Sequence, residues 1–254
     1  MAIVSTLAAE SPARSRSPSA HERPLSVAAA ANLVYVLDAL NTAFLHGEPQ
    51  TKVTVAMGAS GNLVAQIRHG APYDVFLSAD LAYPSSLIAS GDAEAKSLIT
   101  FATGRLVLWT TQPNVNFSSL TAALEDPAIR KLAMANPDTA PYGQAAKQAL
   151  EHLGAWSKLK GKLVLGENIT QTAQFVETGN ADAGLVALSL VLSPKLKNRG
   201  RWIEVPNDAH APLAQGAVMT RRGANNPVAQ RYLDFLQSKT ARKVFGEYGY
   251  AVTE

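Results

Sequence analysis

Leu25-Ser26-Val27-Ala28-Ala29-Ala30-Ala31-Asn32-Leu33 reads as a buried strand that stops at a polar residue and hands over to a helix. The apolar run is short and almost unbroken, as in a strand covered on both faces. Leu33, Leu37, Leu40 and Phe44 then fall on one helical face. The same handover recurs at Gly58-Ala59-Ser60-Gly61, at Pro141-Tyr142-Gly143 and at Asn168-Ile169-Thr170. Each junction leaves backbone N–H groups unpaired at a helix N-terminus, a ready seat for an anion. None of the four segments contains Lys or Arg. A site assembled from them holds its anion with neutral donors and helix dipoles. That points to a small, fully deprotonated oxyanion.

Working outward, strand-like runs fall at 52–56, 74–79, 105–110, 132–135, 163–165, 183–187 and 214–219. Helical patterns lie between them, and a last one starts at Pro227. Alternation of this kind predicts an α/β fold with crossover connections. The chain breaks near Ala102-Thr103-Gly104 and crosses again between Val205 and Pro212, where Pro, Asn, Asp and His cluster. The expected organisation is therefore one lobe from 25–103 plus 207–254, a second from 104–206, and a cleft with a hinge between them. A chain of 254 residues suits two such lobes better than one core. Residues 1–24, rich in Ser, Pro, Ala and Arg, read as a disordered tail or export remnant, although no Lys or Arg precedes the short apolar run at 2–9.

Composition removes several function classes. The net charge is +3 and the 23 basic residues are spread along the chain, so no stripe for nucleic acid is visible. No run approaches the roughly 18 apolar residues of a membrane span. Cys is absent, which excludes disulfides, thiolate metal sites and thiol nucleophiles. The five His are scattered without metal-ligand spacing. Glu167 lacks a partner at motif spacing, and there is no Gly-x-Ser-x-Gly elbow. Asp74 and Asp80, which flank a strand, read as cap or turn residues. An enzyme is not expected.

Each junction also has a plainer reading. Gly58–Gly61 is an ordinary Gly-rich turn, and 136–143 a turn stiffened by two prolines. Asn168 is a helix cap, and so is Asn32, whose carbonyl oxygen would serve the helix while its Nδ2 faces the cleft.

The segments taken together are more specific. Ala29-Ala30-Ala31-Asn32-Leu33, Gly58-Ala59-Ser60-Gly61, Gly70-Ala71-Pro72-Tyr73-Asp74-Val75-Phe76-Leu77-Ser78-Ala79-Asp80, the Asn136-Pro137 to Pro141-Tyr142-Gly143 loop and Gly166-Glu167-Asn168-Ile169 occur in one order. In this the chain resembles the periplasmic molybdate-binding proteins of ABC importers, over about residues 25–251. The resemblance implies a two-lobed, type II periplasmic binding fold that closes on tetrahedral molybdate or tungstate. It implies a monomer that docks on a membrane permease, and no cofactor. By matching motif, the ligand donors are the backbone at Ala31, the side chain and N–H of Asn32, the hydroxyl and N–H of Ser60, and the N–H groups of Tyr142 and Ile169. Asn32 stands where many relatives have Ser, and Ala187 where some have a Tyr that reaches the anion. Another tetrahedral oxyanion such as sulfate, or an anion-sensing domain on the same scaffold, are the alternatives.

Overall fold

The computed structural model describes residues 23–252; of the tail expected over 1–24, residues 1–22 lie outside them. The elements run β1 (Leu25–Ala30), α1 (Val34–Gly47), β2 (Val53–Gly58), α2 (Ser60–Arg68), β3 (Val75–Ser78), α3 (Ala82–Ala89), β4 (Ile99–Gly104) and β5 (Leu106–Thr110). They continue with α4 (Leu120–Glu125), β6 (Leu132–Ala135), α5 (Pro141–His152), α6 (Trp156–Leu159), β7 (Leu163–Gly166), α7 (Ile169–Glu177), β8 (Ala183–Ala187) and α8 (Leu188–Val191). The chain closes with β9 (Arg201–Glu204), β10 (Leu213–Met219), α9 (Pro227–Leu236) and α10 (Lys239–Glu247).

The strands form two five-stranded sheets, ordered β2-β1-β3-β10-β4 and β7-β6-β8-β5-β9. β1 is parallel to β2 and β3, and β10 returns antiparallel between β3 and β4. β6 is likewise parallel to β7 and β8, while β5 runs antiparallel to β8 and β9. Central strands buried on both faces explain the unbroken apolar runs at 25–30, 132–135 and 183–187. Three elements have weaker local signatures. β4 is rich in Thr and Gly, β9 is a four-residue edge strand with charged ends, and α10 buries only Ala241 and Phe245.

Register decides where the junctions lie. Ala30 pairs with Gly58 at the ends of β1 and β2, and Ala135 pairs with Gly166 at the ends of β6 and β7. Neighbouring parallel strands therefore stop level, and the residues that follow sit side by side. Ligands of open α/β sheets collect at such carboxyl ends. The two halves face each other there across small side chains: Ala30, Ala31, Ala59 and Ala79 pack with the core of the second sheet.

The opposite end of β3 is held by charge. Asp74 is fully buried. Its Oδ1 accepts from Arg23 Nη2 (2.7 Å) and Arg222 Nε (3.3 Å), and its Oδ2 from Ser26 N–H (2.9 Å) and Asn226 Nδ2 (3.2 Å). Asp74 is thus a hub rather than a cap or turn residue. Arg23, expected in the tail, is tied into the first half by this contact. Asp80 does act as a turn residue, accepting from Tyr83 N–H and the Ser78 hydroxyl; burial raises its carboxyl above the usual range.

Candidate functional site

All four sequence junctions converge on one small cavity, with about 10 Å³ open to the centre of a water molecule. It is lined by Ala31, Asn32, Ser60, Tyr142 and Ile169, together with small neighbours such as Ala79 and Ala140. Among the described residues that line it, none is charged. The volume is below that of ordinary metabolite pockets. Larger depressions exist at 103–105 with 204–213 and beside α1; the start of α10 lines the second, but among the described residues neither gathers several α-helix starts.

Each helix start exposes a different donor. α2 begins at Ser60 without a side-chain cap. The Ser60 oxygen accepts from Ala79 N–H (3.2 Å), which leaves its own O–H to donate. The next N–H, from Gly61, is taken by Thr139 O (2.9 Å). α5 opens with Pro141, which has no N–H, so its first donor is Tyr142. In α7, Asn168 Oδ1 accepts from both Thr170 and Gln171 N–H (3.0 Å each), and Ile169 N–H is left over. The cap and the anion seat at Asn168-Ile169 are therefore compatible. They use different donors of the same turn.

The first junction differs from expectation. Ala31–Leu33 is a single 3-10 turn, and Asn32 lies inside it rather than capping it. The Asn32 Nδ2, expected to face the cleft, donates to Gln215 Oε1 (2.8 Å) and Tyr250 Oη (2.8 Å). Gln215 cannot turn its amide around, because its Nε2 is held by Ala79 O (3.1 Å) and Leu213 O (2.8 Å). Both Nδ2 protons of Asn32 are thus committed, and its Oδ1 has no partner although the residue is only 1% exposed. What this junction offers the cavity is its backbone N–H groups, in the unpaired first turn.

Gln215, Tyr250 and Ser189 do not line the cavity but hold Asn32, and no local pattern announces them. The Tyr250 hydroxyl donates to Ser189 Oγ (3.1 Å), and Ser189 Oγ donates to Asn32 O (3.0 Å), closing a ring through Asn32. Ser189 belongs to the second half of the molecule, so this ring bridges the cleft. Thr170 Oγ1 to Ala31 O (2.8 Å) and Gly61 N–H to Thr139 O bridge it too. Ala187 is fully buried at the start of α8 and does not line the cavity.

Comparison with known proteins places the fold in a family. The profile of the family described as bacterial extracellular solute-binding protein matches residues 25–251. The molybdate-binding protein ModA of Azotobacter vinelandii is 40% identical over 228 residues, covering 90% of each chain. ModA of Rhodobacter capsulatus is 41% identical over 202 residues, 80% of this chain and 78% of that one. The solved structure of the Azotobacter vinelandii periplasmic molybdate-binding protein aligns with a TM-score of 0.84 at 32% identity, covering 91% of this chain and 100% of that one. Two sheets closing on one uncharged cavity, and likeness along nearly the whole chain, lead to one conclusion: this chain belongs to the bacterial extracellular solute-binding protein family, with the two-lobed α/β fold of its periplasmic members.

Proposed function

We propose that this protein binds molybdate, and tungstate with it, as a periplasmic monomer and delivers the anion to the permease of an ABC importer. One observation carries the reading. Uncharged donors from four separate helix starts surround a single small cavity, in a chain 40% identical to a molybdate-binding protein. The contacts are the backbone N–H groups at Ala31 and Asn32, the hydroxyl and N–H of Ser60, and the N–H groups of Tyr142 and Ile169. The lobes are 25–103 with 207–254, and 104–206.

Molybdate at neutral pH is a dianion with four acceptor oxygens and no proton to give. A donor-only cradle suits it, whereas monohydrogen phosphate needs an acceptor as well. Sulfate has the same charge and tetrahedral shape but is smaller, so donors fixed at the spacing of molybdate oxygens reach it less well; Ala31, Ala79 and Ala140 line the same cavity. Nanomolar affinity corresponds to about −12 kcal/mol. Charge-assisted hydrogen bonds contribute roughly 1.5–3 kcal/mol each, so about six of these donors are sufficient.

Thermal melts with molybdate, tungstate, sulfate and phosphate test the reading. Ligand at a hundredfold its Kd stabilises by about 2.7 kcal/mol, which raises the Tm of a chain this size by roughly 5–10 °C. Molybdate and tungstate are expected to do this and phosphate is not. A shift with sulfate alone would reassign the ligand. Ser60→Ala keeps the N–H and removes the hydroxyl, so calorimetry is expected to show a ten- to hundredfold weaker molybdate complex, about 1.5–3 kcal/mol. Unchanged affinity would remove Ser60 from the contact set.

A further inference from the structure

Two buried polar groups near the cavity lack partners, and they are complementary. The Tyr142 hydroxyl is a donor with no acceptor, and Asn32 Oδ1 is an acceptor with no donor. Each residue is only 1% exposed, and both line the same cavity. A buried polar group left unpaired is costly, and native structures rarely keep one. The two also share neighbours. A Cβ at Gly104 would meet Tyr142 Oη at 2.1 Å and Gln215 Nε2 at 3.0 Å, so the hydroxyl and the Gln215 amide occupy the same space above Gly104. Gln215 Oε1 in turn holds Asn32 Nδ2 at 2.8 Å. Burial keeps the hydroxyl protonated, well above the ordinary tyrosine range, and the Tyr250 hydroxyl beside it adds to the shift.

We propose that the Tyr142 hydroxyl and Asn32 Oδ1 form an interlobe pair, direct or through one buried water, that locks the two halves of the molecule when they close on the anion. Tyr142 stands on α5 of the second half and Asn32 on the turn after β1 of the first. Resting on the proposed anion contacts, the pair joins the side chains of two residues whose backbone N–H groups grip the same ion. Asn32 is then a positioning residue through its whole side chain. Nδ2 is fixed by Gln215 and Tyr250, and Oδ1 is fixed by Tyr142. The pairing also occupies the Asn32 Oδ1 acceptor, on a residue that lines the cavity, and so favours a donor-only site. With the halves apart, water serves both groups, so the pair contributes to the closed state alone.

Tyr142→Phe tests this, because it keeps the ring and the backbone N–H. Wild-type protein is titrated with molybdate alongside it. If wild type does not bind, the functional reading fails, and the pair fails with it. If wild type binds, the variant is expected to bind about five- to tenfold more weakly, through faster dissociation, while its ligand-free Tm is unchanged or higher. In an Asn32→Ala background the same change is expected to have no further effect on affinity, as a double-mutant cycle reads directly. Equal affinity of the variant and wild type overturns the proposal. So does an equal loss in both backgrounds. A lowered ligand-free Tm with unchanged dissociation rate also overturns it, since that marks ordinary packing.

Discussion

Gly143→Ala is expected to weaken molybdate binding by about a hundredfold or more and to destabilise the fold by about 1–3 kcal/mol. A Cβ here would stand 2.3 Å from Ala135 O and 2.8 Å from the carbonyl carbons of Ala135 and Asn136. These are backbone atoms at the end of β6, and no rotamer change moves them aside. The first turn of α5 must lift away from the sheet instead. That turn carries Tyr142 N–H, and a donor displaced by even an ångström loses most of a charge-assisted hydrogen bond. The lift also disturbs the contact between Gly61 N–H and Thr139 O, just before α5 on the other side of the cleft. Calorimetric titration and a ligand-free melt measure the two effects separately. Full affinity in a variant that still folds would show that this helix start does not seat the anion.

Asp74→Ala is the opposite case, a large effect on stability with little on binding. The carboxylate lies at the far end of β3 from Ser78 and Ala79, and it satisfies four donors. Its removal leaves Ser26 N–H and Asn226 Nδ2 without an acceptor in the core and unties Arg23. The two arginines are 38% and 43% exposed, so water takes over part of their solvation. This moderates the loss that a fully buried ion pair would give. The expected cost is about 2–4 kcal/mol, a Tm lower by roughly 5–15 °C. Below the transition, molybdate affinity is expected to stay within about twofold of wild type, because additivity holds for sites this far apart. A variant that melts like wild type would show that the Asp74 hub contributes nothing net.

The strand-to-helix handovers were legible because they are local. A buried run ending at Ala31, Ser60, Tyr142 or Ile169 leaves unpaired N–H groups wherever the helix goes next, and the lack of Lys and Arg in these segments is a property of the chain alone. β6 and β8 carry the bounds their apolar runs predict. Elements with diluted signals were less visible. β9 has charged residues at both ends of four positions, and α10 shows two buried residues in nine.

Side-chain assignments at the site were of another kind. Asn32 taken alone read as a cap before a ligand donor; in the structure it lies inside the turn and its Nδ2 donates to Gln215 and Tyr250. Its orientation is dictated by Gln215, 183 residues away, and Tyr250, 218 residues away. Gln215 is itself oriented by Ala79 O and Leu213 O. No periodicity or spacing announces partners that meet only when β10 inserts between β3 and β4. Backbone donors follow from where a helix begins, which nearest neighbours along the chain decide. The direction of a buried amide follows from the acceptors that long-range strand pairing delivers to it, and these exist only once the sheets have formed.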